Sequence, residues 1–174
     1  MINLSVGTLI AQGQVHNDPS WTLVNQEDRI EVFTRTGENS ALKQIRITYT
    51  VKASMEHTMA LLSEVPLYAD WVYKCDPSYR LQQISPGEFS YCITLHFSFA
   101  LEERKLAVHS TSSTDPITGV YYSRSVTDTS VVITRDQFIH IFEFESIWNI
   151  VPRPIGTLFI DYQALSNLGG DIPI

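Results

Sequence analysis

Short stretches of alternating apolar and polar residues recur along most of this chain, and only one clear helix interrupts them. In the stretch from Leu42 to Lys52, Ile45, Ile47, Tyr49 and Val51 alternate with polar residues. Alternation with a period of two indicates a strand that buries one face. Consecutive strands joined by short turns predict an antiparallel sheet, and 174 residues suit one domain better than two.

The helix follows this strand. Ser54 is suited to cap its N-terminus, Met55, Met59 and Leu62 share one face, and Pro66 ends the run. Later strands are predicted at 79–84, 89–99, 104–113, 120–126, 137–150 and 155–164, and an early turn is predicted at 26–28. A curved sheet rich in aromatic residues presents more apolar wall than one helix covers. The pattern therefore favours a ligand cavity over plain core packing.

Charge and composition exclude several classes of function. The net charge of -7 and the scarcity of basic residues argue against nucleic-acid binding and against docking on an anionic membrane surface. No apolar run is long enough for stable membrane insertion. The N-terminal stretch 1–20 reads as a flexible leader or as the remnant of an export signal, and cytoplasmic and periplasmic locations both stay open.

The sequence carries no recognisable catalytic motif. Its five histidines lack metal-ligand spacing, and no serine or cysteine sits in a nucleophile motif, so neither a metal nor another cofactor is expected. Cys75 and Cys92 are expected to be buried free thiols. His96 and His140 lie in apolar strands, where a contact with a ligand and an outward-facing ring are both open.

The order of these features resembles the START (steroidogenic-acute-regulatory-related lipid transfer) family, within the helix-grip superfamily that also includes polyketide cyclases. The resemblance covers residues 21–174. The residues that carry it are Trp21, Ile30-Glu31-Val32-Phe33-Thr34-Arg35, Trp71-Val72-Tyr73-Lys74-Cys75, Tyr91, Arg104, Trp148, Pro152, Gly156, Tyr162 and the ending Gly169-Gly170-x-Ile172-Pro173. This chain departs from the family pattern at Phe97-Ser98-Phe99, Arg104-Lys105 and Asn167-Leu168.

The resemblance implies an α+β helix-grip fold, a curved antiparallel sheet with few helices around an apolar cavity. It also places Arg104 on a cavity strand. Arg104 is then a polar anchor for a ligand, a member of an ion pair with Asp76, Glu102 or Glu103, or simply exposed at a turn. The segment Trp71-Val72-Tyr73 is either a lid or a fixed packing unit. The candidate ligand-binding residues are Arg104, Tyr91, His96, Phe97, Phe142, Trp148, Tyr162, Trp71 and Tyr73.

The family continues after Ile-Pro with a long C-terminal helix that this sequence lacks, which would leave apolar surface uncovered and favours a homodimer. The leading interpretation is a non-catalytic domain that binds, and transfers, a hydrophobic small molecule such as a lipid, sterol or polyketide-like compound. The alternatives are a cyclase or aromatase and a protein-interaction module with an open groove.

Overall fold

A computed structural model describes residues 20–36, 42–97, 103–131 and 138–167 of the chain. Ten strands and two α-helices lie within these ranges. The strands are β1 Thr22–Glu27, β2 Ile30–Thr36, β3 Lys43–Lys52, β4 Cys75–Ser85, β5 Glu88–Leu95, β6 Arg104–Thr114, β7 Tyr121–Thr127, β8 Ile139–His140, β9 Glu143–Arg153 and β10 Thr157–Asn167. The helices are α1 Met55–Ser63 and α2 Tyr68–Trp71, and short 3-10 turns occupy Val65–Leu67 and Pro154–Gly156.

Nine of the described strands form one curved antiparallel sheet in the order β1-β2-β3-β10-β9-β7-β6-β5-β4. The tenth, β8, adds a short parallel pairing to β6. Strand β10 joins the two halves of the chain, because it pairs with β3 on one side and β9 on the other. The predicted α+β architecture, a curved antiparallel sheet with few helices, is confirmed.

Helix α1 begins and ends where the sequence indicates. Ser54 has extended backbone, and its Oγ accepts a hydrogen bond from the backbone N–H of His57 at 3.2 Å, which is an N-cap. The helix stops at Ser63, three residues before Pro66, and that proline lies in the following 3-10 turn. Met55, Met59 and Leu62 all pack onto the sheet, as their spacing predicts.

Several predicted strand boundaries are wrong: β4 begins at Cys75 rather than at residue 79, β5 ends at Leu95 rather than at residue 99, and two further errors have a local cause. The predicted strand 137–150 breaks after His140, because Ile141 turns inward to become buried and its N–H bonds Lys105 O at 3.0 Å. The predicted strand 155–164 starts two residues later, at Thr157, because Ile155 has a φ of 64° in the turn before it. A branched residue in this left-handed region is uncommon, so its preference for strands misled the prediction.

The first hairpin also turns later than predicted. Asp28 and Arg29, with φ values of 47° and 68°, form a two-residue turn between β1 and β2. Positive φ at both turn positions matches the twist of a hairpin, but Asp-Arg lacks the glycine that normally marks such a turn in a sequence. The N-terminal stretch 1–19 and the ending 168–174, which contains Gly169-Gly170 and Ile172-Pro173, lie outside the described residues.

Candidate functional site

The candidate site is built on one face of the sheet, which we call the helix face because α1 packs against it. Side chains alternate between the two faces of a strand, so the register assigns each residue to a side. Ile160 of β10 lies opposite Tyr49 of β3 and Ile150 of β9, and all three belong to the cluster that α1 contacts. The same register extends across β7, β6, β5 and β4 to the far edge.

Two separate apolar clusters lie on the helix face. The first cluster occupies the β4–β6 side and contains Val65, Tyr68, Cys75, Phe89, Tyr91, Ile93, Leu106, Val108 and Ile141 as buried members. The second cluster lies under α1, with Tyr121, Ile150, Leu158 and Ile160 buried, and with Tyr49, Ala53, Met55, Met59, Leu62 and Trp148 partly buried around them. The sheet therefore carries two apolar regions rather than one continuous core.

A chain of aromatic rings crosses from the first cluster to the second. Tyr91 meets Tyr68 edge-on at 5.4 Å between ring centroids, and Tyr68 meets Trp71 at 5.1 Å. Trp71 then contacts Trp148 at 6.5 Å, and Trp148 contacts Tyr162 at 4.4 Å. The structure thus brings together four of the predicted ligand-binding residues: Tyr91, Trp71, Trp148 and Tyr162. Rigid rings joined in this way form a wide apolar wall with hydroxyl groups along it.

Burial keeps these tyrosines neutral. It raises the pKa of Tyr162 to about 12, and it raises the pKa of Tyr91 and Tyr68 well above the usual value for a phenol. For Tyr91 the neighbouring Tyr68 acts in the same direction, while a hydrogen bond with Ser125 acts against it. The hydroxyl groups are therefore protonated at neutral pH and can both donate and accept hydrogen bonds.

Polar residues separate the two apolar clusters on the helix face. Ser110 of β6, Ser125 of β7 and Ser146 of β9 are register partners in adjacent strands, and Ser123 lies two residues from Ser125. All four serines are buried. We call this group the serine floor. Sequence reasoning missed it, although the spacing Ser123-x-Ser125 inside an alternating strand is a signal that two hydroxyls share one face.

Arg104 lies on the helix face at the start of β6 and is only 1 % exposed. Its guanidinium carbon lies 5.1 Å from the centroid of the Phe97 ring, so two predicted site residues contact each other. Of the predicted carboxylate partners, Glu103 lies beside His96, with 2.9 Å from its Oε1 to Nδ1, and Glu102 lies outside the described residues. The role of Arg104 as a polar anchor stays a prediction.

The structure does not bring the other three predicted site residues into the aromatic chain. His96 contacts the carbonyl oxygen of Asp76 as well as Glu103, which ties it to the start of β4. Phe142 is 77 % exposed and stacks on His140, because it follows the inward turn of Ile141. Tyr73 is 80 % exposed, whereas its neighbours Trp71 and Val72 pack against the sheet. This favours fixed packing for Trp71 and Val72 and leaves Tyr73 at the surface.

The opposite face of the sheet carries a structural ion pair instead of an apolar region. Arg46 of β3 donates two hydrogen bonds of 2.8 Å to the carboxylate of Asp161 on β10, and both residues are buried. Beyond them lies a shallow groove of about 50 Å³, to which Trp21, Arg35 and Glu145 contribute. Its lining mixes polar and apolar side chains, and its volume is far below the roughly 300 Å³ at which ligand pockets begin, so it is too small for a lipid-sized ligand.

Three further observations concern metal binding, membrane crossing and the cysteines. Within the described ranges, no three His, Cys, Asp or Glu side chains are grouped as metal ligands would be. No described helix has the length and apolar character needed to cross a bilayer. Cys75 and Cys92 are buried free thiols, as expected, and burial raises the pKa of both.

Comparison with known proteins supports the fold. No family model matches the sequence. The chain is 22 % identical over 153 residues to the uncharacterized protein PA1579 of Pseudomonas aeruginosa, a match that covers 88 % of this chain and 75 % of that protein. Among solved structures, it is similar to a STAR-related lipid transfer protein from Xanthomonas axonopodis, with a TM-score of 0.80 and 21 % identity over 88 % of this chain and 85 % of that one.

A human structure shows the same likeness at lower identity. The human StAR-related lipid transfer protein 5 superposes with a TM-score of 0.79 at 12 % identity, over 91 % of this chain and 77 % of that one. High TM-scores at such low identity mean that the backbone course is shared while most side chains differ. The chain therefore has the START-like helix-grip fold.

Proposed function

We propose that this chain binds a hydrophobic, lipid-like small molecule on the helix face of its sheet, without catalysing a reaction on it. The observation that carries the proposal is the aromatic chain from Tyr91 to Tyr162, which spans two apolar clusters that α1 covers only in part. Apolar side chains beside it remain open to solvent, among them Ile45, which is 43 % exposed, and Val51.

The energetics of such a face favour an apolar ligand. Apolar surface removed from water contributes about 25 cal/mol per Å², so a lipid-sized molecule gains affinity from burial with few polar contacts. Contiguous exposed apolar surface on a globular domain usually marks a ligand or partner site. Solved START-like structures whose names refer to lipid transfer support a lipid-like ligand by analogy of fold.

The ionisable groups of the aromatic chain support binding rather than catalysis. Burial raises the pKa of Tyr91 and Tyr162 above the usual value for a phenol, further from the near-neutral pKa that suits a general base. Neutral hydroxyls at the edge of an apolar wall are suited to orient a ligand. We further propose that the protein transfers the ligand between membranes. This activity is measured as the movement of a fluorescent phospholipid between two vesicle populations.

The test is a titration with the neutral apolar fluorophore N-phenyl-1-naphthylamine, whose absorption overlaps tryptophan emission. We expect saturable binding with energy transfer from Trp148 and Trp71, which lie on the helix face. Trp148→Phe should therefore remove a large part of the energy transfer. The matched control is Trp21→Phe, because Trp21 lies under the Arg35 guanidinium in the groove on the opposite face.

Two outcomes would contradict the proposal. A fluorescence increase that never saturates would show partition onto exposed apolar patches instead of a site. Saturable binding whose energy transfer is lost in Trp21→Phe and kept in Trp148→Phe would place the ligand on the wrong face of the sheet.

A further inference from the structure

We propose that the serine floor holds an uncharged oxygen group, a hydroxyl or a carbonyl, within the otherwise apolar ligand. This inference rests on the proposed binding function and adds the chemical class of the ligand. The floor consists of Ser110, Ser123, Ser125 and Ser146, and it lies between the two apolar clusters on the helix face.

The position of the floor follows from the strand register. Along β9 the helix face presents Phe144 of the first cluster, then Ser146, then Trp148 of the second cluster. Along β6 it presents Val108 and then Ser110. Neighbouring strands lie about 4.8 Å apart, so the hydroxyl-bearing row Ser110-Ser125-Ser146 is about 10 Å wide. A ligand that lies on the second cluster and extends toward the first therefore meets this row.

The hydroxyls of the floor are incompletely paired within the protein. Ser125 Oγ donates to Ser110 Oγ at 3.0 Å. Ser123 and Ser146 are each 5 % exposed, and neither makes a side-chain hydrogen bond with any residue that the structure describes. Among the described residues, the hydroxyl of Thr127 on the same face of β7 is fully buried without a partner, whereas those of Ser123 and Ser146 are unpaired but not fully buried.

Buried hydroxyls without partners are unusual in a folded protein. Most buried side-chain polar atoms have a hydrogen-bond partner, which is a protein group, an ordered water or a ligand. Leaving a buried hydroxyl unpaired is unfavourable, and an apolar residue of similar size avoids that cost. The buried Thr127 hydroxyl and the two unpaired serine hydroxyls beside the apolar wall therefore offer hydrogen bonds to a polar group that arrives with the ligand.

The chemistry of the floor selects a neutral group. A serine hydroxyl both donates and accepts, so it can pair with a hydroxyl, a ketone or an ester carbonyl. A carboxylate or phosphate buried there would need a cation, because an uncompensated buried charge is very unfavourable. Within the described ranges, two guanidinium groups lie on this face: that of Arg104, six residues from Ser110 along β6 or about 20 Å in an extended strand, and that of Arg80, which stacks on Phe89 and already donates to Ser63 O and Gln83 Oε1.

The test compares two probes that differ by one hydroxyl. Methyl oleate and methyl ricinoleate have the same chain and ester, and methyl ricinoleate adds a hydroxyl near the middle of the chain. Each is used to displace N-phenyl-1-naphthylamine from the purified protein. We expect methyl ricinoleate to bind about 3- to 10-fold more tightly, as one or two net hydrogen bonds would give.

Serine variants then test whether the preference for methyl ricinoleate depends on the serine floor. Ser123→Ala and Ser146→Ala should reduce the ratio between the two affinities toward one, because they weaken methyl ricinoleate binding more than methyl oleate binding. Because the removed hydroxyls are unpaired, both variants should melt at the same temperature as the wild type or higher in the absence of ligand. The matched control is Ser113→Ala, since Ser113 is exposed on the other face of β6.

The outcomes separate this inference from the proposed function. If neither ester displaces the fluorophore, the binding function and the serine site fail together. If both esters displace it with equal affinity, the binding function stands and the serine site is wrong, which would mean that ordered water satisfies the hydroxyls. A lowered melting temperature in Ser123→Ala or Ser146→Ala, with the preference retained, would also contradict a ligand role for these two hydroxyls.

Discussion

The two apolar clusters of the helix face differ in how they are closed. In the first cluster nine residues are buried, and strands β4, β5 and β6 contribute most of them together with Val65 and Ile141. The second cluster has four buried residues, and it depends for its cover on α1, a nine-residue helix that has no fully buried side chain. A helix this short has little stability of its own, so its position depends on packing.

This difference indicates that the two clusters have different roles in the same sheet. The first cluster is a packed core, so a substitution that disrupts it should destabilise the whole fold. The second cluster is apolar surface held under a weakly anchored helix, next to the serine floor and the exposed Ile45 and Val51. Regions that admit ligands are generally drawn from the less stable parts of a structure. We therefore expect substitutions in the first cluster to change stability most, and those in the second to change binding most.

The largest expected effect comes from truncating the core of the first cluster. Leu106→Ala should lower the free energy of unfolding by about 2–5 kcal/mol, because Leu106 is almost completely buried and its loss leaves a cavity. Met59→Ala, on the half-buried face of α1, should cost about 1 kcal/mol but weaken binding of N-phenyl-1-naphthylamine more than Leu106→Ala does. Urea-induced unfolding followed by circular dichroism measures the first quantity, and the fluorophore titration measures the second.

Leu61→Ala is the control for this pair, since Leu61 is an exposed residue of the same helix and its loss should change stability by less than about 0.5 kcal/mol. Equal losses of stability in Leu106→Ala and Met59→Ala would remove the distinction between a closed cluster and an open one.

Much of this arrangement could be predicted from the sequence, because it depends on local patterns. The period of two in β3 and the spacing of Met55, Met59 and Leu62 identified the strand, the helix and the face that the helix packs on the sheet. The burial of β3 was not predicted, because Arg46 and Thr48 are its buried residues while Ile45 and Val51 of the apolar face are exposed. The Ser54 cap was predictable for the same reason, since capping involves residues only three positions apart.

The features that the sequence did not reveal depend on pairing between distant strands. Ser110 and Ser146 meet Ser125 only through the registers of β6, β7 and β9, which no single segment encodes. The Arg46–Asp161 ion pair joins residues 115 positions apart for the same reason. Phe142 was predicted as a site residue from its aromatic character, but the buried Ile141 before it turns its side chain toward solvent.

A smaller effect is the dependence of the unfolding free energy on alkaline pH, to which tyrosines beside the two clusters contribute separately. The folded-state pKa of Tyr162 is raised to about 12 from an unfolded value near 10, so folding favours the protonated phenol. The stability that this contributes is complete below pH 10 and is lost as the pH rises toward 12, at up to about 1.4 kcal/mol per pH unit. Tyr162→Phe should therefore reduce the slope of unfolding free energy against pH between pH 10 and 12.

In Tyr162→Phe, part of the decrease in unfolding free energy at alkaline pH should remain, because burial also raises the pKa of Tyr68 and Tyr91 in the first cluster. Urea unfolding at several pH values between 8 and 11.5 measures the slopes. A Tyr162→Phe variant that keeps the full wild-type slope would show that Tyr162 is not held in an apolar environment.

The smallest expected effect tests the anchoring of α1 alone. Ser54→Ala removes the side-chain acceptor for the His57 N–H, which should cost about 1 kcal/mol. Because the cap acts on the first turn of α1, hydrogen exchange should become faster in Met55–Ser63 and stay unchanged in β5 and β6. Ser54→Asp is the matched control, since aspartate also caps helices and its charge is favourable at a helix N-terminus. If Ser54→Ala accelerates exchange equally in α1 and in β6, the helix and the first cluster open as one unit. The second cluster would then have no independent freedom to admit a ligand.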